Sequence, residues 1–219
     1  MAFHSPPAPR PLRGLPDKRR AIMGAARKLF GRDGYTRTSV DGIAGEAGVS
    51  KRTIYNHFAN KEELFQSVVL EGAEDFTRTV AAIADRHLRK IVDIEDDLVE
   101  FGVDRARAAM AAEKHFSLVR TIKAEATRIP RPLLEAWREV GPSAAQGLLA
   151  GYLRQLTEKG FLHVTDAAKA ANHFTLLTFA NVADSSFNGA VPLPDAEIEE
   201  IVTSGVRTFL RLYGAPPRG

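Results

Sequence analysis

Residues 38–61 read TSVDGIAGEAGVSKRTIYNHFANK, and the spacing inside this stretch decides the fold. Val40, Ile43, Ala44 and Ala47 recur at helical intervals, so one side of a short first helix is apolar. Gly48 follows as its stop, because glycine readily takes the left-handed backbone that ends a helix. Ser50 is placed to cap a second helix. That helix carries Lys51, Arg52, Thr53, Tyr55, Asn56 and His57 toward solvent and turns Ile54 and Phe58 inward. Asn60, with Glu63 three residues on, is a capping-box pattern that opens a third helix. Two short helices across a glycine-containing turn make a helix-turn-helix, whose second helix fits the DNA major groove. Its outward side is almost entirely donors and cations, as a phosphate-lined groove requires.

Working outward, Asp17 is placed to cap a preceding helix that runs to about Arg32, with Gly34 just past its end. Ile22, Ala25, Ala26, Leu29 and Phe30 supply its buried face, and Tyr35 closes the base of the three-helix core. The helix opened by Asn60 continues to about Leu88. At ~1.5 Å per residue it is a rod of roughly 40 Å joining head to body. The rest reads as helix throughout. Segments open at Asp93, Glu113, Pro132, Thr165 or Asp166, and Asp195, with a break or kink at Gly141 and Pro142. The expectation is nine helices, or ten if that break is complete, with no strand and no internal repeat. The fold class is all-α. Residues 1–16 are a Pro-rich disordered tail, in which Arg10 and Arg13 form an alternative basic arm. Residues 17–61 are a DNA-binding head, 62–214 a helical body, and 215–219 a tail.

Composition bounds the function. Hydrophobic content of 44% and charged content of 26% are those of an ordinary globular chain. The chain has no cysteine, which excludes disulfides, thiolate catalysis and Cys-type zinc sites. No run of about 18 apolar residues exists to span a bilayer, and the N-terminal stretch lacks the apolar core of a signal peptide. The expected location is the cytoplasm, with no membrane partner. The formal charge of +3 hides an asymmetry: residues 1–61 carry 12 Lys and Arg against 4 Asp and Glu, while residues 62–219 carry 18 against 23. A basic head on an acidic body is the footprint of a protein that meets DNA at one end only.

The blocks IMGAARKLFGRDGYTRTSV from Ile22, DGIAGEAGVSKRTIYNHF from Asp41 and NKEELF from Asn60 resemble the DNA-binding domain of the TetR family of bacterial transcriptional regulators. Gly42 and Gly45, inside the first helix of the motif, depart from the pattern. Residues 115–162 also resemble the body of AcrR- and AefR-like members. The resemblance implies a homodimer on a palindromic double-stranded operator, with the last two helices as the dimerisation pair. These carry Phe174, Leu177, Phe179, Ala180 and Ala183 on one helix, and Ile201, Val202, Phe209 and Leu210 on the other. It implies phosphate contacts from Thr38, Ser39, Tyr55, His57 and Lys61. For Ser39 the plainer reading is a helix cap alone, and for His57 a structural residue packed beneath Phe58.

Lys51, Arg52, Thr53 and Asn56 lie on the presumed groove side, where Arg or Lys can grip guanine and Asn can pair with adenine. Arg52 is the candidate base reader. Ser50 is more a cap than a reader. The resemblance further implies an effector cavity in the body for a small hydrophobic or aromatic molecule. Phe76, Phe101, Phe116, Val119, Ile122, Trp137 and His173 are its candidate lining, with His115 a second possible polar anchor, although residues of these types are more often ordinary packing positions. The function so implied is a repressor released by its effector. The alternative is an activator or architectural protein controlled by a protein partner. An enzyme is not expected: no phosphate-cradling glycine loop, nucleophile elbow or H-E-x-x-H is present, and no two histidines stand four apart. No cofactor, metal site or catalytic residue is expected. The acidic run Asp93, Glu95, Asp96 and Asp97 reads as a helix start favoured by the macrodipole.

Overall fold

The computed structural model describes residues 15–215. The sequence tails therefore lie largely outside the described residues, as do Arg10 and Arg13. The chain folds into α1 (Leu15–Asp33), α2 (Val40–Ala47), α3 (Lys51–Tyr55), α4 (Lys61–Leu88), α5 (Ile94–Ala111) and α6 (Glu113–Ala124). There follow α7 (Arg131–Arg138), α8 (Ala144–Glu158), α9 (Ala167–Thr175), α10 (Asn181–Ser185) and α11 (Asp195–Tyr213). Two π-helical segments, Glu139–Ser143 and Leu176–Ala180, join α7 to α8 and α9 to α10 without interruption, so the rods number nine among the described residues. There is no β-strand among them; a single isolated bridge links Leu162 to Gly214.

Local chemistry sets most of these boundaries. Ser39 Oγ accepts from Gly42 N–H, Ser50 Oγ from Thr53 N–H, Asn60 Oδ1 from Glu63 N–H, and Asp166 Oδ1 from Lys169 N–H. Each satisfies a donor that a helix start leaves without a partner. Asp93 Oδ1 accepts from the N–H groups of Glu95 and Asp96, and Asp97 Oδ2 from those of Val92 and Asp93, so the acidic run is a helix start. Gly48 ends α2 in the left-handed region, at φ 65°. The Glu63 carboxylate reaches back one residue further than a capping box would, to Ala59 N–H.

Two expectations are corrected. Helix α1 begins at Leu15, so Asp17 sits in its first turn and is not its cap. Helix α3 ends at Tyr55, which leaves Asn56 as its C-cap and His57 beyond it. At Gly141 and Pro142 the rod is not cut, so the count of nine stands and the alternative of ten falls. Proline lacks an N–H and crowds the preceding turn, and the chain accommodates it by widening that turn to a π-helix. Thr77 of α4 donates to Val140 O inside the widened turn. Gly141 is buried there, and a Cβ on it would stand only 3.3 Å from that of Ala73.

Apolar burial divides the molecule unevenly. One core holds α1, α2, α3 and the first turns of α4, with Phe30, Ile43, Ile54, Phe58 and Phe65 inside it. It also takes in Leu118 and Ile122 of α6, Ile129, and Leu133 of α7. The second core lies among the rest of α4, α5, α8, α9, α10 and α11 around Phe101, Phe174, Val202 and Phe209. Helix α6 lies between the two.

Candidate nucleic-acid interface and body cavity

The helix-turn-helix presents a short exposed edge. Arg52, Tyr55 and Asn56 are exposed, Tyr55 by 46%, and no side-chain hydrogen bond or ion pair holds them among the described residues. Lys51 is tied to Asp41 at 2.8 Å by an exposed ion pair. Such pairs are worth little and are readily exchanged for a phosphate. Thr53 is half-buried, and its Oγ1 shares a hydrogen bond with Ser50 Oγ at 2.8 Å. His57 is half-buried against Phe58, with its Nε2 buried and unpartnered.

Two of the implied phosphate contacts are not on offer. Thr38 is 4% exposed; its Oγ1 donates to Gly34 O at 2.7 Å and lies within reach of Leu29 O. Lys61 points inward. Its Nζ donates to Tyr35 O at 2.9 Å and Thr38 O at 3.1 Å, lies 3.5 Å from Thr36 O, and stands 4.5 Å over the Tyr35 ring. Burial pushes its pKa down. Both side chains brace the α1–α2 turn, which periodicity along one helix cannot reveal. We therefore expect Lys61→Ala to cost about 1–3 kcal/mol of stability through carbonyls left without a donor. The slope of log affinity against log salt should stay unchanged. Loss of a direct phosphate contact would instead lower that slope by roughly 0.9, and salt titration of DNA binding separates the two.

In the body, α4, α5, α6, α7, α8, α9, α10 and the two π segments enclose a cavity of about 400 Å³. That falls within the range of roughly 300–1,000 Å³ usual for small-molecule sites. From α4 come Ala73, Phe76 and Thr77; from α6, His115, Phe116, Val119 and Lys123; from α7, Trp137. Phe76 stacks on His115 and meets Phe116 edge-on, both at 5.2 Å between centroids. Burial pushes the His115 pKa down to about 4, so its imidazole is neutral. Both π segments contribute, through Gly141 and Pro142 and through Phe179 and Ala180.

The structure thus gathers Phe76, Phe116, Val119 and Trp137, with His115, and corrects three of the candidates. Phe101 is fully buried in the second core, 5.8 Å from Phe174. Ile122 lies on the opposite face of α6, in the head core. His173 Nδ1 is 2.7 Å from the Tyr213 hydroxyl, in the contact between α9 and α11. Phe174, Val202 and Phe209 are buried within the single chain, and Phe179 lines the cavity. Sequence reasoning missed Arg105 of α5 and Thr175 of α9. The signal for Arg105 was present: it stands four residues after Phe101 and four before Ala109, at a position where the helical period calls for an apolar side chain.

The far face of α6 is bonded to the head. Thr121 Oγ1 donates to Phe30 O at 3.0 Å. Glu125, just past the helix end, accepts from Thr36 N–H at 3.0 Å and from the Thr36 hydroxyl. Burial raises the Glu125 pKa. Its hydrogen bonds from Thr36 and Tyr35 and the charge of Arg128 outweigh that, and the net shift is below the usual 4.5. This brace is complete above 4.5 and is lost as pH falls through the lower folded value.

A family model described as bacterial regulatory proteins, tetR family, matches residues 22–68, and one described as the AefR-like transcriptional repressor C-terminal domain matches residues 96–215. A structure of a TetR-family transcriptional regulator from Mesorhizobium loti is 31% identical, with a TM-score of 0.82 over 92% of this chain and 98% of that one. The flavonoid-responsive regulator FrrA is 30% identical, with a TM-score of 0.67 over the same 92% and 98%. The fatty acid metabolism regulator protein of Bacillus subtilis is 32% identical over 98 residues, which are 45% of this chain and 43% of that protein. The match spans under half the length of that curated relative. No helix among the described residues is long and apolar enough to cross a membrane. With a head and a body that each match, and a relative that aligns along nearly its whole length, the chain belongs to the TetR family of bacterial transcriptional regulators and is a DNA-binding regulator.

Proposed function

We propose that the protein is a homodimeric repressor that occupies a two-fold operator and is released when a small, mostly apolar molecule enters the body cavity. The observation that carries this reading is the double role of α6. Phe116 and Val119 face the cavity, while Thr121, on the other side of the same helix, and Glu125, just past its end, hold the head. Helix α4 has the same character, with Phe65 and Val68 in the head core and Phe76 and Thr77 at the cavity. A ligand that displaces Phe116 therefore moves the seat of the head, and with it the angle at which α3 meets DNA. A ligand acts in this way only as far as it prefers the displaced state, typically by about 1–3 kcal/mol.

A helix as short as α3 reads few base pairs, so specific control calls for a second copy about one helical turn away or a multiple of it. Among the described residues, four of the six exposed large hydrophobics, Leu176, Phe187, Val191 and Leu212, lie on the last helices or the loop between them, which supports a dimer face there. The names of two relatives, responsive to flavonoid and regulating fatty acid metabolism, support an apolar effector. The family model of the body, described as that of a repressor, supports repression.

Selection of bound sequences from a random DNA pool at physiological salt tests the reading. A palindromic motif is the expected result; enrichment no better than salt-dependent background would overturn operator recognition by the free protein. Compounds that release the selected operator are then retested on Glu125→Ala. That variant is expected to hold the operator within about threefold of the parent but to lose most of the ligand-driven release, since the coupling itself amounts to only 5–150-fold. Full release from Glu125→Ala would remove Glu125 from the path.

A further inference from the structure

Arg105 has no role in the fold or in the coupling just described that accounts for its charge. It is the one charged residue that is buried among the described residues, 7% exposed, and it lines the cavity. Its guanidinium lies 4.4 Å over the Phe179 ring, and one terminal nitrogen donates to Thr175 Oγ1 at 3.3 Å. Its Nε is buried with no partner. No carboxylate pairs with it among the described residues. Burial alone pushes its pKa down, to about 10, which leaves it charged at neutral pH. The other ionisable groups of the wall do not offset it. Neutral His115 carries no charge, while Lys123 and Asp184 are exposed at the rim, where Lys123 donates to Asn188 Oδ1.

A buried charge without a counter-charge is costly, and proteins keep such groups paired or hydrogen-bonded. A guanidinium offers a planar fork of donors that matches a carboxylate, and here a donor remains unused. We infer that the molecule this cavity takes is an apolar or aromatic acid whose single carboxylate is received by Arg105, with its hydrocarbon body against Phe76, Phe116 and Trp137. This rests on the cavity being a ligand site, and adds the chemical class of the ligand. The aromatic wall excludes strongly polar anions such as inorganic phosphate, and the guanidinium distinguishes an acid from its uncharged amide or ester. The rim cation Lys123 would add attraction at entry without deciding the choice.

The test uses the full chain and its only tryptophan, Trp137, which stands in the cavity wall and reports occupancy by fluorescence. The probes are 2-naphthoate and decanoate, each against its amide. Both acids are expected to bind at least tenfold tighter than their amides. Arg105→Met should abolish that preference while leaving the amides at parental affinity or better, and Arg105→Lys should retain part of it. Without any probe, Arg105→Met is expected to melt at or above the parental temperature, because it removes an uncompensated buried charge. Equal binding of acid and amide to the parent would overturn the carboxylate and leave the cavity a ligand site. A lower melting temperature in Arg105→Met together with an undiminished acid preference would make Arg105 a structural residue. No fluorescence response to any of the four probes, in the parent and in Arg105→Met alike, would overturn the ligand site and the carboxylate together.

Discussion

Gly205→Ala is expected to lower the unfolding free energy by about 2–3 kcal/mol, and with it the melting temperature by roughly 5–10 °C. Intrinsic propensity argues the other way. Alanine is favoured over glycine inside a helix by about 1 kcal/mol, so packing decides the sign. Gly205 is buried in α11 where that helix lies directly on the π-helical Leu176–Ala180 segment. A Cβ there would meet Leu177 O within contact distance, stand 2.7 Å from the Leu177 carbonyl carbon, and reach Thr178 Cγ2 at 3.1 Å. A flexible side-chain end could turn away, but a hydrogen-bonded backbone carbonyl cannot move without the helix that holds it. Gly45→Ala is the matched control. Gly45 is exposed in α2 with nothing within 4 Å of the position a Cβ would take. It is expected to gain about 0.5–1 kcal/mol. Urea unfolding followed by circular dichroism measures both. Equal gains from the two substitutions would mean that α11 does not approach the π segment this closely.

The second large effect concerns specificity. Arg52→Ala is expected to relax the preference at one or two base positions of the operator by about 1–3 kcal/mol if its contact to guanine is bidentate. Affinity for random DNA should fall only by the loss of one charge. Of the candidate readers, Arg52 and Asn56 are exposed and unattached among the described residues, and of these two Arg52 is the cation able to grip guanine. Tyr55→Phe, by contrast, is expected to weaken every sequence to the same degree. Competition assays with single-base operator variants tell these apart, and a uniform loss for Arg52→Ala would assign it to a phosphate.

How much of this was legible in the sequence follows the range of the interactions involved. Caps at Ser39, Ser50, Asn60 and Asp93 depend on residues two or three positions away, and the chain states them openly. The apolar faces of α1 and α2 depend on one helical period and were equally plain. The division of α6 was not. Phe116 and Ile122 are alike in chemistry, and only the neighbours of α6 decide that one meets the cavity and the other the head. Lys61 and Thr38 were misread for the same reason. Their partners are carbonyls of the α1–α2 turn or of α1 itself, as much as 26 residues away from Lys61. Residue type alone suggests Phe76, Phe116 and Trp137 as cavity aromatics, while the place of Arg105 depends on the neighbours of α5, which its own helical period does not name.

The core of the head is completed from outside the head. Leu118, Ile122, Ile129 and Leu133 close a cluster that begins at Ile22, so the DNA-reading motif borrows part of its interior from segments more than fifty residues downstream. The unit that evolution can exchange is therefore larger than the motif that reads the operator. A new sensor body cannot be joined to an old reading head at the start of α4 without leaving that borrowed face uncovered. Recombination within such a lineage would have to carry α6 along with the head, or else re-fit every apolar contact between them. Diversification by substitution around a retained α6 meets no such obstacle. The cavity side of that helix is free of the head's contacts, while the side bonded to Phe30 and Thr36 is constrained by them.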